Sequence, residues 1–88
     1  MPDITEEASG QVVAFFSAPG VGIVKVLQGV LKQGDLLWVR GHTTDLKQRI
    51  GTMEIDHRPV SEVTAGQEVG IRFSARVRKN DRVYKISS

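Results

Sequence analysis

Glycine-containing turns divide this chain of 88 residues into short runs of strand-forming residues. Of all the features of the sequence, this division most restricts the folds that the chain can adopt. The runs are rich in valine, isoleucine, leucine and phenylalanine, and none shows the 3.6-residue periodicity of an amphipathic helix. The predicted strands are Gln11–Ser17, Val21–Leu27, Leu36–Arg40, Leu46–Asp56, Glu68–Phe73 and Arg82–Ile86. Short strands at this spacing predict an all-β domain, a small closed antiparallel β-barrel of the six-stranded type.

Alternation of side chains along the predicted strands assigns an inner and an outer face. It predicts a core of Val24, Val26, Leu37, Val39, Met53, Ile55, Val69 and Ile71. The same rule directs Trp38 outward, half covered by a loop or by the N-terminal segment. Gly51, inside the longest run, predicts a bulge or a sharp bend. Residues 59–66 are predicted to be a connection with at most one helical turn, at residues 60–65.

The composition excludes several classes of protein. The chain has no cysteine, so disulfides and thiolate metal sites are excluded, and a cytoplasmic location is expected. No apolar run approaches the roughly 20 residues that span a bilayer, so no membrane association is expected. The N-terminus lacks the apolar core of a secretory signal. Residues 1–9 are predicted to be a disordered acidic tail and residues 10–88 the barrel.

Positive charge is concentrated in the C-terminal third of the chain. The formal net charge is +2, yet the segment from Arg72 to Lys85 holds six basic residues and one acidic residue. A basic surface of this kind suits contact with a polyanion. The alternative interpretation is that these side chains only solvate strand faces and loops.

Both histidines lie near an aspartate in the run GHTTDLKQRIGTMEIDHRP, residues 41–59. Histidine and aspartate are metal ligands and acid–base groups. However, Asp56 and His57 are adjacent and would face opposite ways on a strand. His42 and Asp45 span a predicted turn, whose polar side chains would bond to their own backbone. The chain has no phosphate-binding loop, HExxH or GxSxG motif. We therefore predict no catalytic residue, no metal, no nucleotide and no other cofactor.

Several runs along the chain match the pattern of a known module in order and spacing. They are Gly22–Val26, Leu31–Asp35, Val39–Gly41, Ala65–Gly70 and Lys79–Asp81. This pattern resembles domain 2 of translational GTPases such as elongation factor Tu and initiation factor 2. The resemblance covers residues 10–86 and implies the same barrel without a GTPase domain.

Other runs are similar to a narrower family. They are Phe16–Ser17, Gly41–Asp45, Met53–Val60 and Val83–Lys85. They resemble a family of small stand-alone translation elongation factor-like proteins. The same barrel is similar to the C-terminal domain of collagenase-like peptidases.

The resemblance to translation factors implies a non-catalytic module that binds RNA, either tRNA or ribosomal RNA, through a basic surface. The candidate RNA-binding residues are Trp38, Arg40, Lys47, Arg49, His57, Arg58, Arg72, Arg76, Arg78, Lys79, Arg82 and Lys85. In this hypothesis the cations neutralise phosphates and Trp38 stacks on a base. The alternative is an accessory module that docks an enzyme partner without nucleic acid, with Trp38 beside Leu36 as the anchor of the interface.

Overall fold

Every regular element in residues 8–86 of the computed structural model, the part of the chain that it describes, is a β-strand. The strands are β1 Gly10–Phe16, β2 Val21–Val26, β3 Val30–Lys32, β4 Leu36–Arg40, β5 Asp45–Arg49, β6 Met53–Ile55, β7 Arg58–Val60, β8 Glu62–Thr64, β9 Glu68–Arg72 and β10 Arg82–Ile86. All their pairings are antiparallel, so the predicted all-β antiparallel class is confirmed. These described residues contain no helix able to cross a membrane.

Eight strands form one sheet in the order β5-β4-β10-β1-β2-β9-β6-β7, and β3 pairs with β8 separately. Strands β5 and β6 are consecutive in the chain and are joined by residues 50–52 alone, yet they lie six positions apart in the sheet. A link of this length spans at most about 14 Å. Six strand spacings in a flat sheet would measure about 29 Å. The sheet must therefore curl strongly. Within residues 8–86 no ladder joins β5 to β7, so a fully closed barrel stays a prediction.

The predicted core is confirmed by the burial of its side chains. Seven of its eight members are buried, and the eighth, Ile55, is half-buried and packs against the others. The core also takes in residues outside the predicted set. These are Val12, Leu31, Ile50, Val63, Phe73, Val77 and Val83. Burial of this apolar set inside the curled sheet is the main source of stability.

The prediction of one continuous strand over residues 46–56 is wrong, although the bend expected at Gly51 lies where the run is interrupted. The chain forms β5, leaves the ladder at Ile50 and re-enters the sheet as β6. The side chain of Ile50 is buried. Its N–H donates to the carbonyl of Asp35 at 2.9 Å, and its carbonyl accepts from the N–H of Gly34 at 2.8 Å. Because Ile50 is held by a different part of the chain, the run divides into two strands that never pair with each other.

The prediction of a connection over residues 59–66, with at most one helical turn, is also wrong. This segment contains most of β7 and all of β8. Strand β8 pairs with β3 and directs Val63 and Leu31 into the core. Three-residue strands are too short to show alternation clearly, so the sequence pattern did not reveal them.

Asp56 and His57 were expected at the end of a strand. They instead form the two-residue loop between β6 and β7. Ile55 and Arg58 are paired on either side of the loop. The φ angles of Asp56 and His57 are 50° and 64°, as in a type I′ turn. Such turns favour asparagine and glycine because both central residues take a left-handed conformation.

The predicted acidic tail falls mostly on residues 1–7, which lie outside the described residues, and it stays a prediction there. Its last two residues contact the sheet. Ala8 is buried. The N–H of Ser9 donates to the carbonyl of Val83, and the carbonyl of Ser9 accepts from the N–H of Leu27, both at 2.8 Å.

Candidate functional site

Three neighbouring strands, β10, β4 and β5, present one outward surface rich in cations. Trp38 lies opposite Lys47 on β5 and opposite Tyr84 on β10. Arg40, on the same side, lies opposite Asp45 and Arg82. The alternate residues of these strands point into the core, which fixes the outward direction. We call this surface the Trp38 face. Its members are Leu36, Trp38, Arg40, Asp45, Lys47, Arg49, Arg82, Tyr84 and Ile86.

The indole of Trp38 is half-buried beneath its neighbours on this face. Its Nε1 donates a hydrogen bond to Oδ1 of Asp45 at 2.6 Å. The guanidinium carbon of Arg40 lies 4.5 Å from the ring centroid, and Nζ of Lys47 lies 4.7 Å from it. The outward orientation of Trp38 is thus confirmed, but these strand neighbours provide the cover rather than a loop. A base that stacks on this ring must displace a cation, at a cost of about 0.5–1 kcal/mol.

The other cations predicted to bind RNA do not all join the Trp38 face. Nζ of Lys85 lies 3.3 Å from Oδ2 of Asp35 and also donates to the carbonyl of Val30. Arg72 lies on β9, opposite Val21. The twelve predicted residues therefore do not lie on one face.

Two further groups of the predicted residues lie on other parts of the molecule. The segment between β9 and β10 carries Arg76, Arg78 and Lys79, which surround a shallow depression beside Phe15. His57 and Arg58 belong to the hairpin between β6 and β7. Four of the predicted cations, on β4, β5 and β10, share the Trp38 face.

The two histidine–aspartate pairs, His42 with Asp45 and Asp56 with His57, do not form a metal-binding cluster. The side chain of Asp45 was expected to accept a hydrogen bond from the backbone of its own turn. It accepts one from Trp38 instead. That turn is closed by a bond from the N–H of Gly41 to the carbonyl of Thr44 at 2.9 Å. Within residues 8–86, no three histidine, aspartate or glutamate side chains are placed to hold a metal ion.

A second surface is an open groove of about 720 Å³, which we call the Phe16 groove. The hairpin between β1 and β2 forms one wall, and the hairpin between β6 and β7 forms the other. The outward faces of β2, β9 and β6 form the floor. Its lining residues are Phe16, Ala18, Pro19, Val21, Ile23, Glu54, Ile55, Asp56, His57, Glu68 and Gly70.

The floor of the Phe16 groove is apolar and open. Phe16 is 55% exposed, the most exposed of the large hydrophobic residues in the described part of the chain. Val21 and Ile23 are half-buried beside it. Gly70 has no side chain to fill the floor, and a Cβ there would lie 3.3 Å from Cγ1 of Val21. The groove therefore leaves apolar surface in contact with water.

Carboxylates line one side of this apolar floor. Glu54 is paired in register with Gly70, and Glu68 lies two residues before Gly70 on the same face of β9. Asp56 adds a third carboxylate from the turn between β6 and β7. All three are exposed, and none forms an ion pair with any described residue. The groove thus combines apolar contact with unpaired negative charge.

Comparison with known proteins identifies the fold family. Residues 20–80 match the family described as elongation factor Tu domain 2. The chain belongs to this family. The resemblance inferred from the sequence is therefore confirmed.

Curated relatives of this elongation factor Tu domain 2-like chain are proteases. It is 33% identical over 76 residues to an uncharacterized protease of Methanocaldococcus jannaschii. It is 29% identical over 77 residues to a collagenase of Porphyromonas gingivalis. These alignments cover 85% and 86% of the chain but only 18% and 21% of the relatives. The chain thus spans about a fifth of the proteases that it matches.

Solved structures similar to the domain 2-like chain come from a peptidase as well. Two structures of the C-terminal domain of a putative U32 peptidase from Geobacillus thermoleovorans superpose with TM-scores of 0.84 and 0.83. They cover 91% and 99% of this chain and nearly all of their own length, at 17% identity. At that identity the likeness shows a shared fold.

Two adjacent phenylalanines of this domain 2-like chain indicate an exposed aromatic side chain that the sequence-based prediction missed. Phe15 and Phe16 are adjacent in a strand, and adjacent strand residues face opposite sides. One of the two rings therefore had to point away from the core. Phe15 is half-buried against the core, and Phe16 is the exposed one.

Proposed function

We propose that this elongation factor Tu domain 2-like chain is a non-catalytic accessory module that docks an enzyme partner through the Phe16 groove. The exposed ring of Phe16 beside the open floor at Gly70 carries the proposal. Large aromatic side chains that fill a partner's pocket dominate the energy of protein interfaces. The similarity to the C-terminal domain of a putative peptidase supports it, because there the same fold is one part of a longer enzyme chain.

A second candidate function is RNA binding through the Trp38 face. The supporting observation is the placement of Arg40, Lys47, Arg49 and Arg82 around Trp38 and Tyr84 on one face of the sheet. Cations track phosphates and aromatic rings stack on bases, so this combination suits single-stranded RNA. Such binding weakens steeply with salt because counterions are released.

Affinity capture with the purified chain separates the two functions. The immobilised chain is exposed to lysate of its own source organism, with and without nuclease, and bound proteins are identified by mass spectrometry. We expect an enzyme to be retained after nuclease treatment and lost with Phe16→Ser. Leu27→Ser, which alters another exposed hydrophobic residue at 44% exposure, is the matched control and should retain the partner.

The opposite result is equally specific. If only nucleic acid is bound, and if Arg40→Glu with Lys47→Glu abolishes this binding while Phe16→Ser does not, docking through the groove is wrong and RNA binding is supported. A purified enzyme that forms a stoichiometric complex with the chain, dependent on Phe16, would establish the first function.

We further propose that the curled sheet closes into a barrel. The link of residues 50–52 supports this, because it brings β5 near β6. Gln48 on β5 also bonds to the end of β9. Its Nε2 donates to the carbonyl of Arg72 at 3.0 Å, and its Oε1 accepts from the N–H of Ser74 at 2.7 Å. These bonds join opposite parts of the sheet through a side chain. Amide exchange tests closure: the N–H of Ser74 should be protected as strongly as the N–H groups of β9.

A further inference from the structure

We infer that the Phe16 groove binds a cationic peptide segment of its partner, in which an aromatic or aliphatic side chain lies between lysines or arginines. This inference rests on the proposed docking function and specifies the chemistry of the occupant. It follows from the two properties that the groove combines, an apolar floor and unpaired carboxylates.

The apolar part of the groove sets the size of the occupant. Its volume of about 720 Å³ is within the range of sites that take ligands of a few hundred daltons. Such a site accommodates a few peptide residues and not a whole protein face. Phe16, Ile23 and Ile55 supply contact from three different strands. One buried apolar side chain of the partner would cover them.

The carboxylates of the groove determine the sign of the charge on the occupant. Glu54 lies opposite Gly70 on the neighbouring strand β6, and Glu68 lies two residues before Gly70 on β9. Asp56 lies on the turn at the end of the same hairpin. Lysines or arginines that flank the apolar residue would form charge-assisted hydrogen bonds with these carboxylates.

Among the described residues, the cations near the groove form no ion pair with these carboxylates. Lys25 is opposite Glu68 in the pairing of β2 with β9, yet no ion pair forms between them. Arg72 lies two residues after Gly70 on the same face of β9, and Arg58 follows the turn on β7; neither forms an ion pair with a described carboxylate. His57 is exposed in the turn. The negative groups therefore remain available for a partner.

Peptide binding measured by fluorescence anisotropy tests the inference. The probes are three labelled synthetic peptides: SKLFKRS, its charge-reversed form SELFEES and its apolar-deleted form SKSSKRS. We expect the first to bind and the other two to bind much more weakly. Leu27→Ser should bind the first peptide like the unaltered chain.

Charge reversal in the groove gives the sharpest comparison. Glu54→Lys with Glu68→Lys should weaken binding of SKLFKRS about tenfold, because two attractive charge contacts become repulsive. The same double variant should gain affinity for SELFEES. Phe16→Ser should weaken SKLFKRS about tenfold as well, through loss of the apolar contact. All four substituted side chains are exposed, and circular dichroism melts confirm that each variant is folded.

Several results would overturn the inference. Equal binding of SKLFKRS and SELFEES excludes a cationic occupant, as does charge reversal without effect. Self-association of the chain in light scattering that Phe16→Ser abolishes would make a second copy the occupant. If the captured enzyme depends on Phe16 but not on Glu54 and Glu68, the docking function stands and only the cationic chemistry is wrong. If capture is independent of Phe16, the docking function itself is wrong.

Discussion

The carboxylate of Asp81 occupies the space in which a side chain at Gly41 would begin. Asp81 is only 4% exposed, and its Oδ2 accepts a hydrogen bond from the N–H of Arg78 at 2.8 Å. Its backbone carbonyl accepts from the N–H of Val12 at 2.8 Å. One carboxylate thus closes the turn before β10, and a glycine at the end of β4 leaves room for it.

Replacing Gly41 by alanine should lower the free energy of unfolding by about 1–3 kcal/mol, because the new Cβ must displace the buried carboxylate. Gly51→Ala is the matched control, since nothing lies within 4 Å of its added Cβ. The control should be neutral or slightly stabilising, through the lower entropy of its unfolded chain. Urea titrations measure both. Equal stability of the two variants would contradict the role given to Asp81.

Gln48→Leu should lower the free energy of unfolding by about 1–3 kcal/mol, because the carbonyl of Arg72 and the N–H of Ser74 both lose a partner. Gln33→Leu serves as the control. Gln33 Nε2 makes a single bond, to the carbonyl of Gly51 at 2.9 Å, so its loss should cost less than the loss of both Gln48 bonds. Thermal melts compare the two variants, and a larger loss from Gln33→Leu would refute the importance of the Gln48 bridge.

His57→Gly should raise the free energy of unfolding by about 0.5–1 kcal/mol. A residue with a side chain is strained in the left-handed conformation, whereas glycine adopts it freely. The φ angle of His57 is 64°. His42→Gly, at a position without a positive φ, should not stabilise the protein. A destabilised His57→Gly variant would show that contacts of the imidazole outweigh the backbone strain.

Trp38 is the only tryptophan, so its fluorescence reports on the Trp38 face alone. Lys47→Ala should increase acrylamide quenching, because the ammonium group over the ring is removed. Arg49→Ala is the control, because Arg49 lies on the same strand opposite Leu36 and not opposite Trp38. If acrylamide quenches the fluorescence of both variants as it does that of the unaltered chain, Lys47 does not cover the indole in solution.

Strand alternation predicted the core and the outward direction of Trp38 because both depend on a period of two within runs of five or more residues. It did not reveal β3, β7 and β8, which have three residues each and show no period. It also joined β5 to β6, because nothing local indicates that Ile50 pairs with Gly34 and Asp35. Such pairings depend on contacts between distant parts of the chain.

The candidate site was harder to predict than the core. Charge counted along the chain grouped Lys85 with Arg82, although the two point to opposite faces and Lys85 pairs with Asp35. Glu54 and Glu68 are far apart in sequence, so their approach across the groove depends on the pairing of β6 with β9. A surface formed by several strands becomes visible only once the order of the sheet is known.

The pairing of the first strand with the last has a consequence for how this domain can be joined to other proteins. Gly10 lies opposite Val83 in an antiparallel pair of central strands, so the chain enters and leaves the sheet at neighbouring points at one end of that pair. Phe16 lies at the far end of β1, about 20 Å from Gly10 for a strand of this length. The domain can therefore be fused or inserted through neighbouring ends without altering a strand pairing. A tether attached there would hold the domain while leaving the Phe16 groove accessible.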